Sequence, residues 1–325
     1  MTQDATRPVQ KRTNVRTSLQ AARAAIHAVA PASRPLAARM AGELFLRPRR
    51  HQTPRWEREL LARARSFRVP FGDAHLPAWE WGPAGAPPVL LVHGWEGRGS
   101  QLGAFVQPLL ARGFRVVAFD GPGHGRAPSH RSSVVHLALG IERMAAVLGP
   151  LEGVVAHSVG GAATALALEV SRGTLALGRC VLVAPPVSPE RFFGYFAGIL
   201  ALGPELRDAV ARYIERSVAF PLRQVDVRSF SPHLRSPMLL VHDEGDREVP
   251  FEDGRAFAAA WPGSKLVVTS GLGHRGILKD PDVTAAAAAF IAGHDEVAEG
   301  LPLGSIDAEL FDRPRRWARM ANGRA

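Results

Sequence analysis

The sequence predicts an α/β fold: a mostly parallel twisted sheet with helices on both faces and a short helical cap. Three observations point there. From residue 66 on, short β-type runs alternate with helix-type segments, the order expected when crossover helices cover both faces of a parallel sheet. Several runs, PPVLLVHG and SPMLLVHD among them, are continuously apolar, as in strands buried on both sides. The residues with chemistry to offer, His93, Asp120, Ser158, Asp246 and His274, fall just after the ends of these runs, and that edge is where open α/β sheets bind ligands.

SFRVPF and HLPAWEWG read as an opening antiparallel pair around a turn at Gly72 and Asp73. PPVLLVHG follows, then a glycine-rich loop and a helix-type segment over 101–112. FRVVAFDGPGHG repeats the arrangement, ending in Asp120 and a glycine-rich turn. The helix-type segment 133–148 leads into LEGVVAHSVGG, and Ala162 to Val170 continue directly as a strong helix pattern. RCVLVAPP, SPMLLVHDEGD and SKLVVTSGLGH supply three more runs. Between the first two of these, residues 187–235 carry no strand pattern. Phe192, Phe196 and Leu200 recur there at helical spacing, and a second helix starts at Pro204. This insertion is expected to cap the sheet edge; two helices packed on the body would share the pattern. The chain therefore divides into a basic, partly helical extension over 1–65, a catalytic domain over 66–293 with the cap at 187–235, and a tail over 294–325.

Charge is concentrated at the start. Residues 1–70 hold 15 Arg and Lys against four acids, a balance of +11 out of a net +10 for all 325 residues, so the remainder stands at −1. A +10 chain raises nucleic-acid binding as a possibility, but the body is electrically balanced, and a solvated or surface-packed extension accounts for the excess without a nucleic-acid partner. The first 30 or so residues are expected to be mobile, and Leu36, Met40 and Leu44, four apart, to dock the next stretch on the body. Catalysis is then expected not to depend on the arm's charge. ELFLRPRR at 43–50 returns as ELFDRPRR at 309–316, one recurrence, far short of a repeat architecture. Cys180 is the single cysteine, which excludes an internal disulfide framework and suits a reducing compartment. No apolar stretch reaches membrane-spanning length, and Arg23, His27 and Arg34 break any signal-peptide core. A cytoplasmic location is expected, with an organelle transit peptide as the alternative reading of the arginine-rich start. Nothing in the sequence sets an oligomeric state.

VVAHSVGG at 154–161 places Ser158 between a β-type run and a helix, with small residues two before and two after it, Ala156 and Gly160. Sharp strand-to-helix turns carrying a nucleophile need such residues. A serine hydroxyl is a weak nucleophile without a base, and the base needs a third group to orient it. Downstream, Asp246 and then His274 supply acid and base, with Asp243 and Glu244 as rivals for the acid. Negative charge on a substrate carbonyl oxygen needs donors. The N–H of Val159 at a helix start is one candidate, and that of Trp95 in HGWEG is the other, with His93 and Gly94 shaping the loop. His93 as a metal ligand lacks companions at ligand spacing. VHGWEGRG mimics a dinucleotide-binding start, but its glycines are in the wrong order.

The set HGW at 93–95, FDGPGHG at 119–125, AHSVGG at 156–161, Asp246 to Pro250 and GLGH at 271–274 resembles the α/β-hydrolase family over residues 66–292. The resemblance implies catalytic roles for Ser158, Asp246 and His274, oxyanion roles for Trp95 and Val159, and structural turn roles for Asp120 and His124. Ala156 departs from the glycine the family most often has there. A serine rather than an aspartate at 158 argues against the dehalogenase branch. The expected reaction is cleavage of a small-molecule carboxylic ester or thioester through an acyl-enzyme, without a cofactor or metal. Other bond classes (amide, lactone, carbon–carbon) and a non-catalytic binding protein on the same fold are the alternatives. His157 and the cap aromatics Phe192, Phe193 and Phe196 are the candidates for substrate contact.

Overall fold

A computed structural model describes residues 7–230 and 234–295. Eight strands form one sheet: β1 (Arg65–Phe71), β2 (Ala74–Trp81), β3 (Pro88–Val92), β4 (Arg115–Phe119), β5 (Leu151–His157), β6 (Leu177–Val183), β7 (Met238–Asp243) and β8 (Lys265–Thr269), in the order β1-β2-β4-β3-β5-β6-β7-β8. β1 pairs antiparallel with β2, β2 antiparallel with β4, and every other pairing is parallel. All eight expected runs are strands.

The apolar runs are explained by period-2 alternation between two cores. Leu90, Val92, Val117, Phe119, Val154, Ala156, Leu182 and Leu240 face one side. Val89, Leu91, Val116, Ala118, Val155, Val181, Val183, Leu239 and Val241 face the other. The first face is covered by α5 (Val134–Leu148), α6 (Val159–Ser171) and α9 (Phe251–Ala260). The second is covered by α3 (Arg55–Ala62), the 3₁₀ segment Gly99–Phe105 with α4 (Val106–Leu110), and α11 (Pro281–Ile291). Ser133 caps α5 by accepting the N–H of His136, and Asp280 caps α11 by accepting those of Asp282 and Val283.

The chain order reverses around β3, whose neighbours are β4 on one side and β5 on the other. The loops leaving β3 and β5 therefore diverge over one crevice, the place where such sheets take ligands. The insertion forms α7 (Glu190–Ile199), α8 (Pro204–Val218) and two short 3₁₀ turns, anchored where buried Asp253 of α9 accepts the Val187 N–H and pairs with Arg191.

The extension departs from expectation. It forms α1 (Arg7–Val29) and α2 (Arg34–Phe45) besides α3, and these are built into the molecule. Ile26 and the small residues Ala37, Ala38 and Ala41 are buried in a third core with Phe193, Leu200, Leu206, Val210 and Ile214 of the insertion. Of the expected Leu36–Met40–Leu44 stripe, Met40 and Leu44 pack against this core while Leu36 does not, so the docking face is centred on the small residues beside it. Leu36 is 48% exposed, because small side chains let α2 approach α8 closely: a Cβ on Gly42 would lie 2.3 Å from the Tyr213 ring. The main partner of α2 is the cap, with Glu43 also pairing with Arg131 of the body, and the docked chain reaches back to Ile26, against the expectation of mobility over the first 30 or so residues. Of the C-terminal tail, only 294 and 295 lie among the described residues; ELFDRPRR at 309–316 lies outside them.

Candidate active site

Ser158 stands between β5 and α6 with φ +53° and ψ −128°, a backbone conformation that L-residues reach only under constraint. The constraint is visible. Its N–H donates to Val183 O at 2.8 Å, its C=O accepts the Gly161 N–H at 2.8 Å, and α6 is pressed against the end of β3. A Cβ on Gly160 would lie 2.6 Å from His93 O and 2.8 Å from Val92 O. The strict glycine of the turn is therefore Gly160. Ala156, fully buried in the core beneath α5 and α6, needs only to be small.

Asp246 and His274 come together. His274, in the single-turn helix α10 (Gly273–Gly276) after β8, donates its Nδ1–H to Asp246 Oδ2 at 2.6 Å. Asp246 Oδ1 accepts the N–H groups of Glu248 and Val249 at 2.8 and 3.0 Å. Burial raises the Asp246 carboxyl, but the His274 hydrogen bond and charge, with those two amides, carry it below the ordinary carboxylate range. Of its rivals, Asp243 is committed elsewhere, accepting from Gly245 N, Thr269 Oγ1 and Leu272 N, and Glu244 is exposed.

His157 has a different place from the one expected. It is 4% exposed, its ring packs 4.6 Å from the His274 ring, and its Nε2–H donates to His274 O at 3.0 Å. Its contacts are with His274, and little of its surface is left for any other partner. Phe193 and Phe196 likewise turn inward, edge-on to Phe45 of α2 in the cap core, while Phe192 is half-buried on the same helix. Phe193 and Phe196 thus serve the contact with the extension.

On the other side of Ser158 lies the loop after β3. Gly94 approaches so closely that a Cβ there would sit 2.9 Å from the serine Cβ. Trp95 and Glu96 are the corners of a turn closed by Gly97 N–H to Gly94 O at 3.0 Å. Val159 is the first residue of α6, so its N–H belongs to the helix-start amides that have no intrahelical acceptor. His93 ties this loop to the next: its Nε2 accepts the Gly121 N–H at 2.9 Å, and its Nδ1–H donates to Gly94 O at 2.8 Å. Asp120 accepts from Gly99 N and Arg126 N, and His124 Nδ1–H donates to Pro122 O. All three are scaffolding. Among the described residues, no group of three or more metal-ligating side chains comes together.

Burial pushes His124 and His157 down to about 3 and lowers His93 as well. Unfolded, each takes a proton near the usual value of about 6.5. The contribution of His124 and His157 to stability is therefore complete above about pH 6.5 and is lost as pH falls toward 3, by up to about 1.4 kcal/mol per pH unit for each of the two. Urea midpoints are expected to fall across that window, and His157→Gln to flatten the decline. An unchanged slope in the variant would mean that His157 is charged in the folded protein.

The alpha/beta hydrolase family model matches residues 89–287, and the chain belongs to that family. It is 26% identical over 243 residues to a bifunctional esterase/perhydrolase of Acinetobacter calcoaceticus, covering 60% of this chain and 87% of that protein. It is 43% identical over 68 residues to a serine hydrolase-like protein of Danio rerio, covering 21% of this chain and only 20% of that relative's length. Among solved structures, the thioesterase domain of a curacin biosynthetic pathway is similar at TM-score 0.51 and 23% identity, covering 70% of this chain and 99% of that one. A bacterial membrane phospholipase A reaches TM-score 0.56 at 19% identity, covering 88% of this chain and 99% of that one. At these identities the structures speak for the fold. No helix among the described residues is long and apolar enough to cross a membrane.

Proposed function

We propose that this enzyme is a serine hydrolase that cleaves a small-molecule carboxylic ester or thioester through an acyl-enzyme. The observation that carries the reading is the 2.6 Å Asp246–His274 pair, whose histidine packs on His157, the residue before the strained Ser158. Ser158 Oγ attacks the acyl carbon and His274 Nε2 takes its proton, while Asp246 holds the Nδ1–H tautomer and stabilises the imidazolium. The N–H groups of Trp95 and Val159 receive the oxyanion. His274 then protonates the leaving alcohol or thiol, and water, deprotonated by the same imidazole, releases the acid. The names of the esterase and thioesterase relatives agree with this bond class.

A fluorophosphonate probe tests the reading directly. Ser158 Oγ displaces fluoride from phosphorus, and one phosphonyl group is expected on the Ser158 peptide by mass spectrometry. No adduct, together with no turnover of p-nitrophenyl butyrate, would remove the serine-hydrolase reading.

A further inference from the structure

The extension does more than cover the cap. Past α2, the strap from Leu46 to His51 runs over the loops that follow β3 and β4. Leu46 is buried, and its C=O accepts the Ser132 N–H at 2.8 Å. Arg50 donates to the carbonyls of Gly123, Ala127 and Ser129 beyond the GPGHG turn. Arg49 grips the other loop. Its Nε and Nη2 donate to Glu96 Oε1 and Oε2 at 2.8 and 2.9 Å, its backbone N–H reaches Oε1 at 3.3 Å, and His51 Nε2 lies 3.4 Å from Oε2.

Glu96 follows Trp95 directly and has φ +57°. A β-carbon is strained in that conformation, which glycine adopts without penalty. The turn that presents the Trp95 N–H beside Ser158 thus carries a residue that would relax to negative φ unless held. An isolated exposed ion pair would hold little. Here the carboxylate is only 17% exposed in its side chain and receives a planar bidentate fork plus a main-chain amide, which fixes its position and not merely its charge. Two residues on, the same loop is held by a second part of the extension: buried Glu57 of α3 accepts from both Arg98 Nε and Nη2 at 2.5 Å and from Ser100 Oγ at 2.6 Å.

We propose that Arg49, supplied by the N-terminal extension, is a positioning residue for the reaction: through Glu96 it holds the left-handed turn that aims the Trp95 N–H at the oxyanion. This rests on the serine-hydrolase reading above. It also replaces the expectation that catalysis is independent of the arm's charge.

The test uses the full chain, p-nitrophenyl butyrate and the fluorophosphonate. Arg49→Ala is expected to lower kcat and the rate of Ser158 labelling by about tenfold or more, as a misplaced oxyanion donor does, with KM within twofold and the melting temperature unchanged. Arg49→Lys, with one ammonium in place of the fork, is expected to recover only part of the loss. Arg47→Ala, at an exposed pair with Glu43 on the same strap, is the control and is expected to be silent. In a Glu96→Gly background the turn needs no clamp, so adding Arg49→Ala is expected to cost nothing further. Wild-type kcat in Arg49→Ala, a loss that follows the melting temperature, or full additivity with Glu96→Gly would each overturn the positioning role while leaving the labelled wild type intact. A wild type that neither turns over nor labels would remove the underlying reading and the role with it.

Discussion

Ser158→Ala is expected to lower kcat by roughly four to six orders of magnitude while leaving KM and the melting temperature nearly unchanged, as for nucleophiles that act in a unit with their base. The folded state loses little. The hydroxyl occupies the end of a turn held by backbone contacts to Val183 and Gly161, and alanine keeps the β-carbon that the turn already accommodates. His274→Ala is expected to cost about as much. The double variant should cost scarcely more than either single one, because proton acceptor and nucleophile contribute only together. Asp246→Ala is expected to fall somewhat less, since the Nδ1–H tautomer then loses its acceptor but the imidazole remains. Purified variants compared by steady-state kinetics on p-nitrophenyl butyrate decide the matter. Losses that multiplied across the double variant, or an Asp246→Ala at full rate, would break the three residues apart.

Gly160→Ala is the second large effect. The added methyl would meet two main-chain carbonyl oxygens at 2.6 and 2.8 Å, and neither can swing aside as a side-chain tip would. Either α6 withdraws from the end of β3 or the loop after β3 moves away from Ser158. Both separate the nucleophile from the Trp95 amide, and a shift near 1 Å in such a constellation costs about 100-fold. A drop in kcat/KM of about that size is expected, with about 1–3 kcal/mol of stability lost to overpacking. Ala156→Gly is the informative contrast. It sits in the strand facing the helix core, so removing its methyl is expected to leave kcat intact. If Gly160→Ala kept wild-type kcat/KM, the close approach of α6 to β3 would be irrelevant to catalysis.

The strands and the order Ser158, Asp246, His274 were legible because both are written in local pattern: unbroken apolar runs between glycine-rich turns, and polar residues at the ends of those runs. Asp246 lies farther from its strand end than Asp243, and the hydrogen bonds of Asp243 show what the nearer carboxylate does. What was illegible depends on contacts between distant segments. His157 looks like a substrate-facing neighbour of the serine until His274 O is seen above it. Phe193 and Phe196 look like a pocket lining until Phe45, from the far end of the chain, occupies their face. Arg49 was hidden in a charge excess, since an arginine that forks onto Glu96 and one that merely meets water are the same letter. In principle a non-glycine in the middle of HGWEG was a signal, but only the φ of Glu96 gives it meaning.

Tyr213 of the cap donates to Glu43, and His27 shares a hydrogen bond with the Leu200 carbonyl, across separations of 170 and 173 residues. During synthesis, α1 and α2 leave the ribosome long before the helices they rest on exist. At roughly 5–20 residues per second they wait on the order of 10 to 30 s, their small apolar faces without a partner. Loop closure over such a span comes late in folding. The extension therefore seats on the cap only after residues 190–218 have emerged, although Arg49 and Glu96, 47 residues apart, can pair much earlier. Docking of α1 and α2, followed by protease protection of the N-terminal segment in a coupled translation reaction, should lag behind protection of the chain that carries β1 to β5.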